Sequence, residues 1–299
     1  MMKAIFFFFF IAMAFWACDT VPYQDAYETQ PPVVVDTGSK DSNDLDFTQR
    51  VLLEDYTGHT CGNCPFAAEE ASRLEKALTD KVVVMAVHCG FFAKPNLNPA
   101  SNKFKADFRT PTGDALDIQF GPSAAGLPKG LVQRRSFDGE SKVSLLSYTA
   151  WDGKLREVLS QPANEIGLRL KAALSGNTLS LTADVAFRKN IEGKIKQAVY
   201  LTEDSIVNWQ KKYPAPGVTE EIQNYVHRHM LRGSLSPVGG DDFLSAQSTY
   251  SSGNTFKSSW AGTVPALTPA IKLKDTKLIY VLYREDNQEV LQVGEVKVP

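Results

Sequence analysis

Apolar residues change their period partway along this 299-residue chain. In the first half, Thr48 to Tyr56 reads as a strand around Val51, Leu52 and Leu53, and Val82 to Cys89 is a nearly unbroken apolar run, the pattern of a strand in the middle of a sheet. Between them Ala67, Ala71, Leu74 and Leu78 recur at helical spacing against Glu69, Glu70, Arg73, Glu75 and Lys76, which predicts an amphipathic helix over 64–78. Strand, helix, strand in that order predicts a βαβ unit with parallel strands. Turn signals at Asn98-Pro99, Thr110-Pro111 and Gly121-Pro122 frame an insertion over 96–121, with a short helix near Ser101 to Phe108. A strand over 130–137 and a helix over 147–159 complete this half near Gln161-Pro162, the helix marked by Trp151, Leu155 and Leu159.

From residue 163 the period becomes two. Ile166, Leu168, Leu170, Ala172 and Leu174 alternate with polar or small neighbours, Ser175-Gly176-Asn177 turns the chain, and Leu179, Leu181, Ala183, Val185 and Phe187 alternate back, which predicts a hairpin. Further strands are expected over 196–201, 278–283 and 290–298. This half therefore predicts an all-β antiparallel sandwich of the immunoglobulin-like kind. Residues 220–231 fit a helix or a strand equally; in a strand, Tyr225, His227, His229 and Leu231 would share a face.

The N-terminus reads as an address. Lys3 followed by an apolar stretch rich in Phe6 to Phe10 is a signal peptide over 1–17, too short to span a bilayer. Phe15-Trp16-Ala17-Cys18 resembles a loose bacterial lipobox, so Cys18 is expected to be lipidated, with a polar tether over 18–46. Two units follow, over 47–162 and 163–299. A formal net charge of −2 without dense Lys/Arg clusters argues against nucleic acid as a partner. Of the four cysteines, lipidation leaves Cys61, Cys64 and Cys89; in an oxidising compartment the first two are expected to pair as a disulfide. Cys89, ending a central strand, is read as a small buried thiol rather than a third redox group.

The chemistry gathers at Cys61-Gly62-Asn63-Cys64-Pro65, between a buried strand and a helix, which is the thioredoxin arrangement. The helix N-terminus favours thiolate over thiol, making Cys61 the nucleophile and Cys64 the resolving thiol. Resemblance to thioredoxins gives Asp55 the role of a buried proton relay, with a solvated strand-end carboxylate as the equal alternative and Glu54 as its rival for the inward position. The same resemblance gives Pro128 a cis peptide bond that orients substrate. His59 either stabilises the Cys61 thiolate or caps the loop.

Taken together, Gly58-His59-Thr60-Cys61-Gly62-Asn63-Cys64-Pro65, Val87-His88-Cys89-Gly90, Gly126-Leu127-Pro128 and Tyr225-Val226-His227-Arg228-His229-Met230-Leu231-Arg232 resemble the thioredoxin-like lipoprotein family named after a twenty-eight-kilodalton outer-membrane protein. The resemblance implies a lipid-anchored protein of the cell envelope and outer membrane, with an α/β thioredoxin-like domain before the β-rich one. The function expected is thiol-disulfide exchange on exported or surface proteins. The alternative is a non-enzymatic surface lipoprotein with a structural disulfide, whose β half binds protein or carbohydrate; Trp209 and Trp260 are candidates for its binding face, against the plainer reading of core aromatics. No cofactor is expected. A metal at Cys61 and Cys64 would need His59 or His88, one at His227 and His229 would need a third ligand, and neither is expected to form.

Overall fold

A computed structural model describes residues 35–36, 44–163, 165–244 and 247–299. The expected signal peptide and Cys18 lie outside the described residues. Part of the expected tether joins the fold: Val35–Asp36 pairs with Phe256 and Lys257, Leu45 is buried, and Asp46 exchanges backbone hydrogen bonds with Leu168.

The first half supplies strands β1 (Val51–Thr57), β2 (Val82–His88) and β3 (Lys129–Val132) with helices α1 (Cys64–Ala77), α2 (Pro111–Phe120) and α3 (Trp151–Ser160). The second supplies β4 (Ile166–Ser175), β5 (Thr178–Phe187), β6 (Ile195–Glu203), β7 (Ile206–Lys212), β8 (Glu220–His227), β9 (Met230–Ser234), β10 (Thr255–Thr263), β11 (Thr276–Arg284) and β12 (Val290–Lys297). The predicted βαβ unit is present: β1 and β2 run parallel in register from Val51 beside Val82 to Thr57 beside His88.

The molecule is mostly β, in several sheets. An eight-stranded mixed sheet runs in the order β12-β11-β6-β9-β2-β1-β3, with the short strand Asp241–Asp242 added beside β6. Strands on either side of residue 162 are thus neighbours: Met230 of β9 pairs with Ala86 of β2. The predicted hairpin β4-β5 forms a second sheet with β10 and Val35–Asp36. It packs on the antiparallel half of the large sheet, where Leu181, Val185, Phe256 and Trp260 meet Val199, Leu201, Leu278 and Tyr280. The other half is covered on the same side by α1 and α3, through Ala67, Ala71, Leu74, Trp151 and Leu155 against Val51, Leu53, Val82 and Val84. Alternate residues of the large sheet point to the opposite face, where Leu52, Tyr56, Met85, Tyr200 and Ile279 share a core with Leu116 of α2.

Three segments depart from the sequence reading. Residues 101–108 form no helix; Phe104, Ala106 and Phe108 are buried and Lys105 and Asp107 exposed, a period of two. The helix lies just beyond, because Thr110 and Pro111 are its N-cap and first residue rather than a turn. Thr110 Oγ1 accepts from the Gly113 N–H at 3.0 Å, and Gly121 ends the helix at φ 75°. The strand expected over 130–137 stops at Val132, since Gln133 and Arg134 take positive φ and turn Arg134 into the interior. Residues 220–231 are two strands in two sheets, separated by His229 at φ 52°, so His227 and His229 do not share a strand face.

Candidate functional site

Cys61 and Cys64 are joined by a disulfide at the start of α1. The loop before them is held by Thr60, whose N–H and Oγ1 both donate to the Phe92 carbonyl, at 3.0 and 2.9 Å. Gly58 lets that backbone come close, because a Cβ there would overlap Phe92.

The disulfide is covered. Cys61 and Cys64 are 3% and 1% exposed. The cover is the hairpin β7-β8, from the other half of the chain. Gln210 Nε2 donates to the Cys61 carbonyl at 3.0 Å, the Lys211 N–H to the His59 carbonyl at 2.8 Å, and the Tyr213 N–H to the Gly62 carbonyl at 2.9 Å. Lys212 Nζ pairs with Glu69 Oε1 of α1 at 2.6 Å. The Tyr213 ring fills the place a Cβ would need at Gly62. Gln210 and Tyr213 were not among the residues picked out from the sequence, and nothing local in the chain marks them.

Both carboxylates at the end of β1 are buried, on opposite faces. Glu54 forms a two-pronged ion pair with Arg134 at 2.9 and 2.8 Å, and Arg134 also donates to Tyr200 Oη. Asp55 is on the α1 face, 2% exposed, with Oδ1 lacking a protein partner. Burial raises its pKa to about 7, opposed by nearby His229. It is therefore the inward acid of the α1 face, and it shares a cavity of about 540 Å³ with Cys64, His88, His227 and His229. Pro128 follows a cis peptide bond from Leu127, and the next residue, Lys129, pairs with Tyr56 on the strand leading to the cysteine loop.

His59 is buried against Phe104 and Phe108, and its Nε2 lies 3.1 Å from the Lys94 carbonyl. Burial pushes its pKa down to about 4, so at neutral pH it is uncharged. Uncharged and beside the Lys94 carbonyl, it is placed to hold the loop. His88 and His227 contact each other and Phe108, with ring centroids 5.1 to 5.5 Å apart. Burial depresses both pKa values, that of His227 to about 3. His229 faces Glu75 and Asp204 instead. Among the described residues no group of three or more His, Cys, Asp or Glu is placed to hold a metal ion.

Cys89 is a free, buried thiol beside Leu116 and Met85 in the core; burial and the neighbouring Asp117 push its pKa up, against reactivity. Trp260 is a core residue whose Nε1 donates to Asp241. Trp209 is half-buried beneath the Lys103 ammonium. No described helix is long and apolar enough to cross a membrane.

Solved structures resemble the chain to differing degrees. HBP35 of Porphyromonas gingivalis has a similar fold, with a TM-score of 0.55 and 20% identity over 85% of this chain and 76% of that one. A protein of Agrobacterium tumefaciens matches at TM-score 0.44 and 12% identity, over 84% of this chain and 95% of that one. A domain of the outer membrane lipoprotein Omp28 from Porphyromonas gingivalis matches at TM-score 0.32 and 18% identity, over 46% of this chain and 90% of that domain. No curated protein sequence matches the chain. Residues 114–299 match the family of outer membrane protein Omp28. That match takes in most of α2, all of α3 and every strand from β3 onward, including the hairpin that covers the disulfide, so the chain belongs to the Omp28 family of outer membrane proteins and its place is the outer membrane of the cell envelope.

Proposed function

We propose that this protein is a lipid-anchored thiol-disulfide exchange protein, held to the membrane through Cys18 and acting on exported proteins through a thioredoxin-like unit over 47–162. The observation that carries the reading is a disulfide at a helix N-terminus with a buried, protonatable carboxyl in the cavity behind Cys64. A substrate thiolate attacks Sγ of Cys61; the Cys61–Cys64 bond breaks, and Cys64 leaves as a thiolate that takes the proton of Asp55. A second substrate thiolate then attacks the substrate sulfur of the mixed disulfide and releases Cys61. The substrate dithiol is oxidised and the cysteine pair reduced. In the reverse direction Cys61 attacks, Cys64 resolves, and Asp55 accepts the Cys64 proton. Pro128, next to Lys129 on the strand that pairs with the one leading into the motif, orients the substrate backbone in this reading.

The burial of both cysteines favours a second reading, a permanent structural disulfide in a surface lipoprotein whose β half binds protein or carbohydrate. Equilibration with glutathione and mass-spectrometric counting of free thiols separates the two. A reduction potential above about −270 mV supports exchange, and one below about −300 mV assigns the pair a structural role. Under the first outcome Cys64→Ala traps mixed disulfides with exported proteins.

A further inference from the structure

The cavity between α1 and β8 has the make-up of a binding site that owes nothing to redox chemistry. Its volume, about 540 Å³, is that of a small-molecule pocket. The room comes from small side chains, with Ala68 and Ala71 on α1 facing Ala86 on β2. One wall is aromatic: the rings of Tyr225 and His227 lie edge to face with centroids 4.9 Å apart, and His88 adjoins His227. Several of its buried polar atoms are unpartnered. Asp55 Oδ1, both nitrogens of His88 and Nε2 of His227 are buried without a protein hydrogen bond, an arrangement that is costly unless something pairs with them.

The tautomer of His227 fixes what that something must offer. Nε2 of His227 is the buried ring nitrogen without a protein partner, and the backbone of Trp209 beside the ring favours the proton on Nδ1, which leaves Nε2 to accept. A partner there must bring a proton. Charged side chains of both signs line the cavity, Glu69 against Arg73, Lys76 and Arg228, with Asp55 titrating near 7, while burial keeps the imidazoles of His88 and His227 neutral. A charged group set against those two neutral rings would lose hydration and gain no counter-charge from them.

We propose that this cavity binds a small, uncharged, mostly apolar aromatic molecule bearing an O–H or N–H donor, seated on the alanine floor and donating to Nε2 of His227. The proposal holds whether or not the disulfide exchanges, because it is made for the oxidised chain as it stands.

The test uses 2-naphthol and its methyl ether, 2-methoxynaphthalene, which keeps the rings and loses the donor. With the full oxidised chain, fluorescence titration is expected to give saturable 1:1 binding of 2-naphthol, at least about tenfold tighter than of the ether. In His227→Phe the preference disappears. Ala68→Phe, on a half-exposed helix position, weakens both probes and keeps the test usable if His227→Phe fails to fold. Equal binding of the two probes to the unaltered chain overturns the proposal. So does binding that Ala68→Phe leaves unchanged, or no saturable binding of either probe.

Discussion

Acid is expected to destabilise this protein through its buried histidines, and His227→Phe isolates one of them. In the fold His59 and His227 titrate near 4 and 3, with His88 also far below the ordinary imidazole value of 6.5. An unfolded chain protonates all three near their ordinary value. Between about pH 6.5 and 4 the unfolded state thus binds more protons on these rings than the native state, and stability falls as pH falls. Asp55 works the other way: with a native pKa near 7 against an ordinary 3.8, it favours the fold as pH drops through the same window. Burial also raises the pKa of Asp114, Glu203 and Asp241, with the same sign as Asp55. Comparing two chains removes these shared carboxyl contributions. One histidine that protonates only when unfolded changes stability by about 1.4 kcal/mol per pH unit once below its unfolded pKa. Integrated from pH 6.5 to 4.5 this is about 2 kcal/mol. Urea denaturation of the oxidised protein at half-unit pH steps should therefore show His227→Phe losing about 2 kcal/mol less than the unaltered chain over that range. Parallel pH profiles would mean that His227 is protonated in the fold, and the neutral wall of the cavity would be wrong.

Three further outcomes are expected. Gln210→Ala and Tyr213→Ala each loosen the cover over the disulfide, and dithiothreitol should then reduce Cys61–Cys64 about tenfold faster under native conditions, as counted by alkylation and mass spectrometry; an unchanged rate would show that the hairpin does not limit access. Glu54→Gln leaves the Arg134 guanidinium buried without its counter-ion and should cost about 3–5 kcal/mol in chemical denaturation, whereas a cost under about 1 kcal/mol, that of an exposed pair, would refute the isolation of this pair from water. Thr110→Ala removes the N-cap of α2 and should cost about 1 kcal/mol in the same assay; no loss would show that the Gly113 N–H finds another acceptor.

The elements that the sequence made visible are those whose pattern is decided locally. The β4-β5 hairpin alternates strictly and turns at Gly176-Asn177, and α1 carries a clean apolar face. Thr110-Pro111 shows the limit: the same dipeptide serves a turn or a helix start, and the outcome depends on whether the following residues have a surface to pack on, which Leu116 finds in the core beside Met85 and Tyr56. Segment 101–108 was misread because Phe104, Ala106 and Phe108 bury their side chains around His59 and His227, a destination over a hundred residues away for the latter. Nothing local decides, either, that β6 and β9 join strands from the first half in one sheet. Met230 meets Ala86 only once both regions have folded.

The candidate site divides in the same way. Cys61, Cys64 and Asp55 stand out because their chemistry and spacing lie within ten residues, and strand parity then places Asp55 with Val51 and Leu53 on the helix face while Glu54 turns to Arg134. What the sequence concealed is the property that matters most for exchange, the access of a substrate to Sγ of Cys61. The hairpin that restricts it has little apolar pattern; β8 is largely exposed until His227. Its hold on the motif is made of two backbone hydrogen bonds, the Gln210 amide, the Lys212–Glu69 ion pair and the Tyr213 ring over Gly62, none of which leaves a local pattern in the sequence. These are weak singly and open together, so the cover follows the chain's tertiary stability rather than the chemistry of the cysteines. Under the proposed exchange function, the helix N-terminus poises the motif, and the hairpin from the other half of the chain sets how often it is exposed.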